Sequence, residues 1–354
     1  MGYLKFVCGI LIAFNVLYLL FLHDFKITLY FALKGAYFLI ISLSNKFMRQ
    51  LKRFFDQGNV MFTHLKFIFT PIVLLTLAPH VFAGEVLDRI KQKGSITLGY
   101  RESADPISYI ANGKPVGYAL DICHNVVTEI KKQLKTPQLK IEYKAVNSTS
   151  RIPEVLAGNI DIECGTTTNN KQRQQQVAFS TSYYVADVRM AVKKTSNIQT
   201  LKQLNGKAVV TVQGGNPEKY LKMSAKKANI KIISLGGKDH ADAFSMLSSG
   251  RAAAFVNDDI GLAGLIAKSA NPKDYEIVGP TLSSEPYGIM FAKTDPQLKS
   301  MADGVVNQMW KSGQMDQLYK KWFQSPIPPK NINLNLAPSG SYKALKAKPN
   351  DVGI

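Results

Sequence analysis

Three arginines and one aspartate in this sequence have the residue types expected of a site for a small charged ligand. Arg101, Arg151 and Arg173 are cations that could converge on one cleft. Guanidinium groups repel one another unless anions lie between them, and they bind carboxylates best through paired hydrogen bonds. Asp258 supplies one anion. A ligand with two carboxylates and one ammonium would balance this set, whereas separate surface ion pairs are the alternative interpretation of the arginines.

Polar residues follow six predicted strands, at the edge where parallel sheets bind their ligands. The strands are predicted at 95–100, 140–146, 160–164, 208–212, 230–235 and 252–256. The polar residues after them are Arg101, Ser148, Arg151, Thr166, Thr168, Asn216, His240 and Asp258. One polar residue in a loop is a weak signal because loops are polar anyway. Six strand ends together indicate a shared site.

The elements that must position these residues alternate between strand and helix, which predicts an α/β fold with mostly parallel sheets. Two clusters of elements are expected to form two lobes: 84–182 with 287–325, and 189–276. Two crossings, at 183–187 and 281–286, would then join the lobes as a two-strand hinge. The Pro-, Asn- and Lys-rich tail, residues 326–354, is expected to wrap the surface or to fray.

The composition excludes some classes of protein. The chain has 354 residues, of which 46% are hydrophobic, so it is too long for one small domain and too mixed for a disordered chain. It has 44 lysines and arginines against 25 aspartates and glutamates, a net charge of +19. The basic residues are scattered and form no run interleaved with aromatic residues. We therefore expect scattered surface charge and no nucleic-acid binding.

The cysteines and histidines are few. Three cysteines and five histidines cannot build a disulfide framework and leave little for a metal cluster, so we expect no metal and no cofactor. Cys123 falls on a predicted helix and Cys164 at a strand end. Two buried free thiols are the expectation, with pairing in an oxidising compartment as the alternative.

The first 83 residues carry a targeting pattern. Residues 61–83 have a weakly basic start, an apolar run and Val-Phe-Ala before Gly84, which is typical of a signal peptide cut after Ala83. Residues 1–60 are an apolar and basic extension ahead of it. Because a signal peptide normally begins a chain, two interpretations stay open. Either translation starts at Met61, or residues 1–60 tether the protein to the membrane.

Several segments together resemble one family of transport proteins. They include LDRIKQKGSITLGYRES, SRIPEVLAGNIDIECGTTTNN, SGRAAAFVNDD and KWFQSPIPPKN. The family pattern R-x-x-x-L-x-x-G-x-x-D is filled by Arg151, Val155, Gly158 and Asp161, with valine in place of the usual leucine. Over nearly all of 86–350 the chain is similar to family 3 extracellular solute-binding proteins of ABC amino-acid importers. The segments ECGTTTNN, KDH and IPPKN point to the glutamate/aspartate-binding branch.

The resemblance implies a fold and a set of contacts. The fold would be the two-lobed, type II-like periplasmic-binding-protein fold. Arg151, helped by Ser148, would bind the α-carboxylate of the ligand, and Asp258 would bind its α-ammonium. Arg101 and His240 would hold the side-chain carboxylate. Further contacts would come from Thr166, Thr168, Arg173 and Asn216. Thr166 stands where the branch often has serine, and Asn216 stands where it often has threonine.

The function implied by the resemblance is capture without catalysis. The mature protein would bind L-glutamate or L-aspartate in the periplasm as a monomer and deliver it to an ABC transporter permease. One alternative is an exported enzyme similar to cyclohexadienyl dehydratase, which needs a general acid, and His240 is the histidine expected in the cleft. The other alternative is a membrane-tethered amino-acid sensor, which needs residues 1–60. The sequence does not rank glutamate over aspartate.

Overall fold

Two five-stranded sheets organise residues 85–354, the part of the chain that the structure, a computed structural model, describes. The strands are β1 Ser95–Tyr100, β2 Ser103–Ala104, β3 Ser108–Ala111, β4 Lys114–Val116, β5 Lys140–Ala145, β6 Ile162–Cys164, β7 Val177–Phe179, β8 Tyr184–Lys193, β9 Ala208–Val212, β10 Ile233–Gly237, β11 Ala254–Asp258, β12 Tyr275–Tyr287, β13 Met290–Ala292, β14 Pro326–Ile327 and β15 Ile332–Asn333. The α-helices are α1 Glu85–Lys93, α2 Tyr118–Gln133, α3 Arg151–Leu156, α4 Pro217–Lys227, α5 His240–Ser248, α6 Asp259–Lys268, α7 Pro296–Ser312, α8 Gln314–Phe323 and α9 Gly340–Ala347.

The first sheet has the order β5-β1-β6-β13-β7. β1 pairs in parallel with β5 on one side and with β6 on the other, and β13 runs against both β6 and β7. Strand β1 is buried along almost its whole length because helices cover the sheet. Helix α2 buries Leu120, Cys123, Val127 and Ile130, which recur at helical spacing along one face. This arrangement places the carboxyl ends of β1, β5 and β6 at one edge.

The second sheet has the order β10-β9-β11-β8-β12. β9 pairs in parallel with β10 and β11, and β8 runs against both β11 and β12. Helix α4 begins with Pro217 at its first position, where the missing amide hydrogen costs no helical hydrogen bond. The predicted strands at 230–235 and 252–256 are observed two to three residues further along the chain. Their carboxyl ends lead into helices α5 and α6.

The long strands β8 and β12 connect the two sheets. They are antiparallel partners, with Asp187 opposite Ser284 and a register shift between Val278 and Ser283. Their ends at Tyr184 and Tyr287 pack in the core of the first lobe, whereas Val188 and Val278 pack in a core of the second lobe. The two-lobed α/β fold predicted from the sequence is therefore confirmed, and its joining segments are two paired strands.

Cys123 and Cys164 form a disulfide bond, so the expectation of two buried free thiols is wrong. Their Cα atoms lie 6.2 Å apart, and both side chains are fully buried. Helix α2 packs across the first sheet, and this packing brings its Cys123 over the last residue of β6. The bond ties a covering helix to the strand whose end leads into the candidate site.

The C-terminal tail is packed against the protein and does not fray. Helix α9 lies against β8, and Tyr342 is buried among aromatic rings that include Tyr184 and Trp310. The backbone of Ile354 then pairs with that of Asn169, which lies in the loop after β6. The predicted extension and signal peptide lie outside the described residues. Within residues 85–354, no helix is both long enough and apolar enough to cross a membrane.

Candidate functional site

The first lobe contributes charged and hydroxyl side chains from the carboxyl edge of its sheet. Arg101 directly follows β1, and Arg151 is the first residue of α3. Thr166 and Thr168 lie in the loop after β6. These four side chains and Ser148 are all buried, so any charge they carry must be matched by neighbours or by a ligand.

Ser148 joins the two arginines of this lobe. Its Oγ accepts a hydrogen bond from Nη2 of Arg101 at 2.7 Å and one from Nη1 of Arg151 at 3.4 Å. Other donors of the two guanidinium groups, Nη1 of Arg101 and Nε of Arg151, are buried and have no hydrogen-bond partner among the described residues. Buried guanidinium donors without partners are rare, so these two atoms are positioned to bind an anion.

The second lobe contributes three buried residues from the ends of its own strands. Asn216 is the N-cap residue of α4, His240 is the first residue of α5, and Asp258 is the last residue of β11. Asp258 accepts a hydrogen bond from the hydroxyl of Tyr287 through Oδ2, and its Oδ1 is buried without a partner among the described residues. That oxygen is a free acceptor for a cationic group.

Arg173 links the two lobes. It begins a 3₁₀ turn, Arg173–Gln175, and donates from Nη1 to the carbonyl oxygen of Thr168 at 2.9 Å. Its Nη2 donates to the carbonyl oxygen of Gly214 in the second lobe at 3.4 Å. Burial, then the charge of Arg151, lowers the pKa of Arg173 to about 9. Arg173 therefore belongs to the arginine cluster and is not an isolated surface ion pair.

Electrostatic effects show that Arg101, Arg151 and His240 share one environment. Burial, followed by the charge of Arg151, lowers the pKa of Arg101 to about 10. Burial and the charges of both arginines hold the pKa of His240 well below its usual value. The imidazole of His240 is therefore neutral at neutral pH and can donate or accept a hydrogen bond.

Three further site residues were missed by the sequence reasoning: Glu163, Glu285 and Tyr287. Glu163 lies in β6 between Ile162 and Cys164, is fully buried, and its charge raises the pKa of both Arg101 and Arg151. A charged residue inside an apolar predicted strand was a signal that could have revealed it. Glu285 and Tyr287 lie in the crossing strand β12, where no pattern distinguished them from ordinary strand residues.

Glu285 connects the two lobes at the hinge. Its Oε2 accepts a hydrogen bond from Oγ1 of Thr168 at 2.5 Å, and its Oε1 accepts one from Nδ2 of Asn216 at 2.8 Å. Thr168 belongs to the first lobe and Asn216 to the second. One carboxylate on the hinge strand therefore holds a residue from each lobe.

A cavity of about 270 Å³ lies between the lobes beside this cluster. The residues that line it are Arg101, Glu102, Ser103, Ala145, Val146, Asn147, Ser150, Lys238, Asp239 and His240. Seven belong to the first lobe, and the other three are the first residue of α5 and the two residues before it in the second lobe. The volume is of the order occupied by a small organic ligand, and the lining is mostly polar.

The two lobes touch around the cleft. A Cβ on Gly214 would lie 2.8 Å from the carbonyl oxygen of Ser148, and the φ of Gly214 is +71°, so this position requires glycine. Elsewhere, Lys268 of α6 donates to the carboxylate of Asp105 at 3.0 Å. The structure thus shows the lobes closed on each other, with the buried charges enclosed between them.

The arrangement is suited to binding a small ion with charges of both signs. Guanidinium donors of the first lobe and a carboxylate oxygen of the second lobe are buried without partners among the described residues, and the charge of Asp258 acts on Arg151. In residues 85–354, no group of three or more His, Cys, Asp or Glu side chains is placed to hold a metal ion.

Comparison with known proteins gives close relatives. The chain is 45% identical over 289 residues, covering 80% of this chain and 95% of the relative, to the L-glutamate/L-aspartate-binding protein of Pseudomonas aeruginosa. It is 44% identical over 275 residues, covering 77% of this chain and 90% of the relative, to the glutamate/aspartate import solute-binding protein of Escherichia coli K12.

The fold and the sequence also match at the level of the family. A solved structure of a mutant of ArgBP from T. maritima superposes with a TM-score of 0.60 at 28% identity, covering 68% of this chain and 99% of that chain. Residues 96–325 match the bacterial extracellular solute-binding proteins, family 3. That match spans more than half of the chain, with relatives above 40% identity aligned over most of it. This protein therefore belongs to family 3 of the bacterial extracellular solute-binding proteins.

Proposed function

We propose that this protein captures an acidic amino acid, L-glutamate or L-aspartate, between its lobes and delivers it to an ABC transporter permease. The observation that carries the proposal is the meeting of Arg101, Arg151 and Arg173 with Asp258 at one closed interface between the lobes. A carboxylate and an ammonium on the ligand can pair with the guanidinium donors and the Asp258 oxygen that have no partner among the described residues. The names of the two relatives above support the same ligands.

The ligand contacts proposed for each residue follow from the free atoms. Arg151 and Ser148 bind the α-carboxylate, and Oδ1 of Asp258 accepts from the α-ammonium. Arg101 and His240, which line the cavity from opposite lobes, hold the side-chain carboxylate. The remaining residues support these contacts: Thr166 and Thr168 offer hydroxyl groups, and Arg173 and Asn216 join the lobes behind the ligand.

Closure of the lobes follows from binding in this proposal. A ligand shifts a conformational equilibrium only if it binds one state more tightly than the other. Here the α-carboxylate contacts the first lobe and the α-ammonium contacts the second lobe. The closed form makes both contacts at once, and we propose that it is the form presented to the permease.

Capture is favoured over turnover. The relatives are named as binding and import proteins and not as enzymes. An enzyme acting on prephenate-like acids would need His240 as a general acid, yet the pKa of His240 is lowered by its burial and by two guanidinium charges. The neutral imidazole is a poor proton donor at neutral pH.

Isothermal titration of the purified protein with L-glutamate, L-aspartate, L-glutamine, L-arginine and prephenate tests the proposal. We expect the two acidic amino acids to bind at least about 100-fold more tightly than L-glutamine, because the uncharged amide leaves buried guanidinium donors unpaired. Binding of L-arginine in preference to both acidic ligands, or conversion of prephenate, would overturn the assignment.

Location and partner are part of the same proposal. We propose a monomer in the periplasm, exported by a signal peptide that ends at Ala83, or a tethered protein if residues 1–60 are translated. Release by osmotic shock and mass spectrometry of the mature N-terminus distinguish the two. Glutamate uptake by membrane vesicles that contain the permease should require the added protein, and uptake that is indifferent to it would contradict the partner.

A further inference from the structure

The formal charges that cluster at the candidate site cancel before any ligand arrives. Three guanidinium groups, of Arg101, Arg151 and Arg173, act on three carboxylates within the described residues. Those carboxylates are Glu163, Asp258 and Glu285. His240 adds no charge because its pKa lies well below the usual value. The cluster sums to zero, whereas glutamate and aspartate each carry one net negative charge at neutral pH.

Two further aspartates lie near the cluster, and each has a basic residue in its surroundings. Asp259 faces Asp258 from the start of α6, and the charge of Arg189 on β8 acts on it in turn. Asp239 faces Arg101 from the N-cap of α5, beside Lys238. Tyr287 on β12 donates its hydroxyl hydrogen to Asp258 and is neutral, since burial raises its pKa well above the usual value. An acidic ligand would therefore leave one negative charge uncompensated in a buried site, which is costly.

Glu285 is the carboxylate with the geometry to take up a proton. It is fully buried and lies near the second carboxylate, Asp258; burial raises the pKa of both groups, and the charge of Glu285 raises that of Asp258 further. Its Oε1 faces Nδ2 of Asn216, an amide that can only donate. Its Oε2 faces the hydroxyl of Thr168, which can reverse and accept. A protonated Glu285 would keep both hydrogen bonds with its hydrogen on Oε2.

We propose that the acidic amino acid binds together with one proton, which Glu285 holds on Oε2 toward the hydroxyl of Thr168. This proposal rests on the proposed function. The proton comes from the solvent, one O–H bond forms on the carboxylate, and no other covalent bond changes. In the bound complex, the proton on Glu285 then compensates the net negative charge of the ligand.

The proton links affinity to pH with a definite sign. The ligand's negative charge raises the pKa of Glu285 in the complex above its value in the free protein. At pH values below the pKa of Glu285 in the free protein, the affinity is independent of pH. Between the pKa of Glu285 in the free protein and its pKa in the complex, the affinity falls by about tenfold per pH unit. Above the pKa in the complex, the affinity levels off. L-glutamine, which has no net charge, should take up no proton.

Titration calorimetry in phosphate and in imidazole, from pH 6 to pH 8, measures the proton directly. The two buffers differ in ionisation enthalpy, so their difference in observed heat gives the number of protons bound with L-glutamate. We expect this number to approach one within the range for the wild type and to fall to zero in Glu285→Gln. The glutamine side chain of this variant keeps both hydrogen bonds once the Thr168 hydroxyl reverses, because its amide nitrogen donates to that hydroxyl and its amide oxygen accepts from Asn216.

Three more variants test which side chain holds the proton. Thr168→Val removes the accepting hydroxyl and should reduce the proton uptake. Thr167→Val removes a hydroxyl of the same loop that has no hydrogen-bond partner among the described residues, and it should leave the proton number unchanged. His240→Asn removes one alternative acceptor, and uptake that persists in both Glu285→Gln and His240→Asn would place the proton on Asp258 and overturn the proposal. Loss of uptake in His240→Asn but not in Glu285→Gln would place the proton on the histidine and overturn the proposal.

The outcomes separate this proposal from the proposed function. If neither acidic amino acid binds, the proposed function fails. If L-glutamate binds but its heat is the same in both buffers at every pH, only the coupled proton is overturned.

Discussion

Asp105 and Lys268 form an ion pair that crosses from one lobe to the other, with a nitrogen–oxygen distance of 3.0 Å. Asp105 is 1% exposed, whereas the side chain of Lys268 is about a third exposed. The pair can form only when the lobes are closed, so it stabilises the closed form relative to the open one. It lies away from the arginine cluster and therefore contributes to affinity without selecting the ligand.

Replacing Lys268 by methionine tests that contribution. Lys268→Met keeps the aliphatic chain but leaves a buried carboxylate unpaired on closure, so we expect about tenfold weaker binding of L-glutamate and L-aspartate alike. Titration calorimetry measures it, with the exposed Lys273→Met as the control. An equal loss in both variants would show that the effect is general surface charge and not the ion pair.

Arg151 should tolerate no conservative exchange. Lysine keeps the positive charge of Arg151 but loses the planar fork that binds a carboxylate through two hydrogen bonds. We expect Arg151→Lys to weaken L-glutamate binding about 100-fold. Arg89→Lys is the matched control, since Arg89 pairs with Asp161 outside the proposed site. Wild-type affinity in Arg151→Lys, with a normal melting temperature, would refute the contact proposed for this arginine.

The disulfide between Cys123 and Cys164 should stabilise the fold. The bond joins residues 41 positions apart, and restricting a loop of that size in the unfolded chain is worth about 4 kcal/mol in the chain-entropy account. Guanidinium denaturation of the double variant Cys123→Ala/Cys164→Ala should show a loss of this order. Reduced wild-type protein should unfold at a denaturant midpoint similar to that of the double variant. Equal midpoints for oxidised and reduced wild-type protein would contradict the expectation.

Asp259 should make stability depend on pH. Burial raises its pKa from the usual 3.8 to about 6, so the folded state favours the protonated form. Ionisation therefore costs stability as the pH rises through about 6, and the penalty is absent below the unfolded pKa. Asp259→Asn removes the charge, and its Oδ1 can still accept from the amides of Asp187 and Ile260.

We expect Asp259→Asn to be more stable than the wild type at pH 8 and to lose that advantage near pH 4. Thermal unfolding at both pH values measures the difference. Asp274→Asn, an exposed carboxylate of the same lobe, serves as the control. An advantage that is the same at both pH values would mean that the charge of Asp259 is not responsible.

The part of the site at strand ends was accessible from the sequence. Arg101, Thr168 and Asp258 each follow or end a strand whose apolar pattern is plain, and parallel strands bring their carboxyl ends to one edge. The alternation of strands and helices was likewise sufficient for the two-lobed fold. The observed ends of β10 and β11 lie two or three residues beyond the predicted ends, because the sequence pattern does not mark the exact residue at which a loop becomes a strand.

The remaining part depends on packing that a linear pattern does not contain. Glu285 contacts both lobes because strand β12 passes between them, and the sequence pattern of a strand residue does not show what its side chain will contact. The bond from Cys123 to Cys164 depends on how α2 lies across the first sheet. The charge balance of the site therefore differs from the one predicted from the sequence, since the structure places three carboxylates near the arginines and the sequence predicted one.

Gly214 controls how near the halves of the molecule can come. Its lack of a side chain lets its backbone rest against the carbonyl of Ser148. A side chain at 214 would strain this backbone and act as a spacer, without removing any ionic group. Alanine, serine and valine there would give a graded series of gap widths. Such a series would separate two steps of binding: the contact of the ligand with one half of the protein, and the closure of the other half onto it.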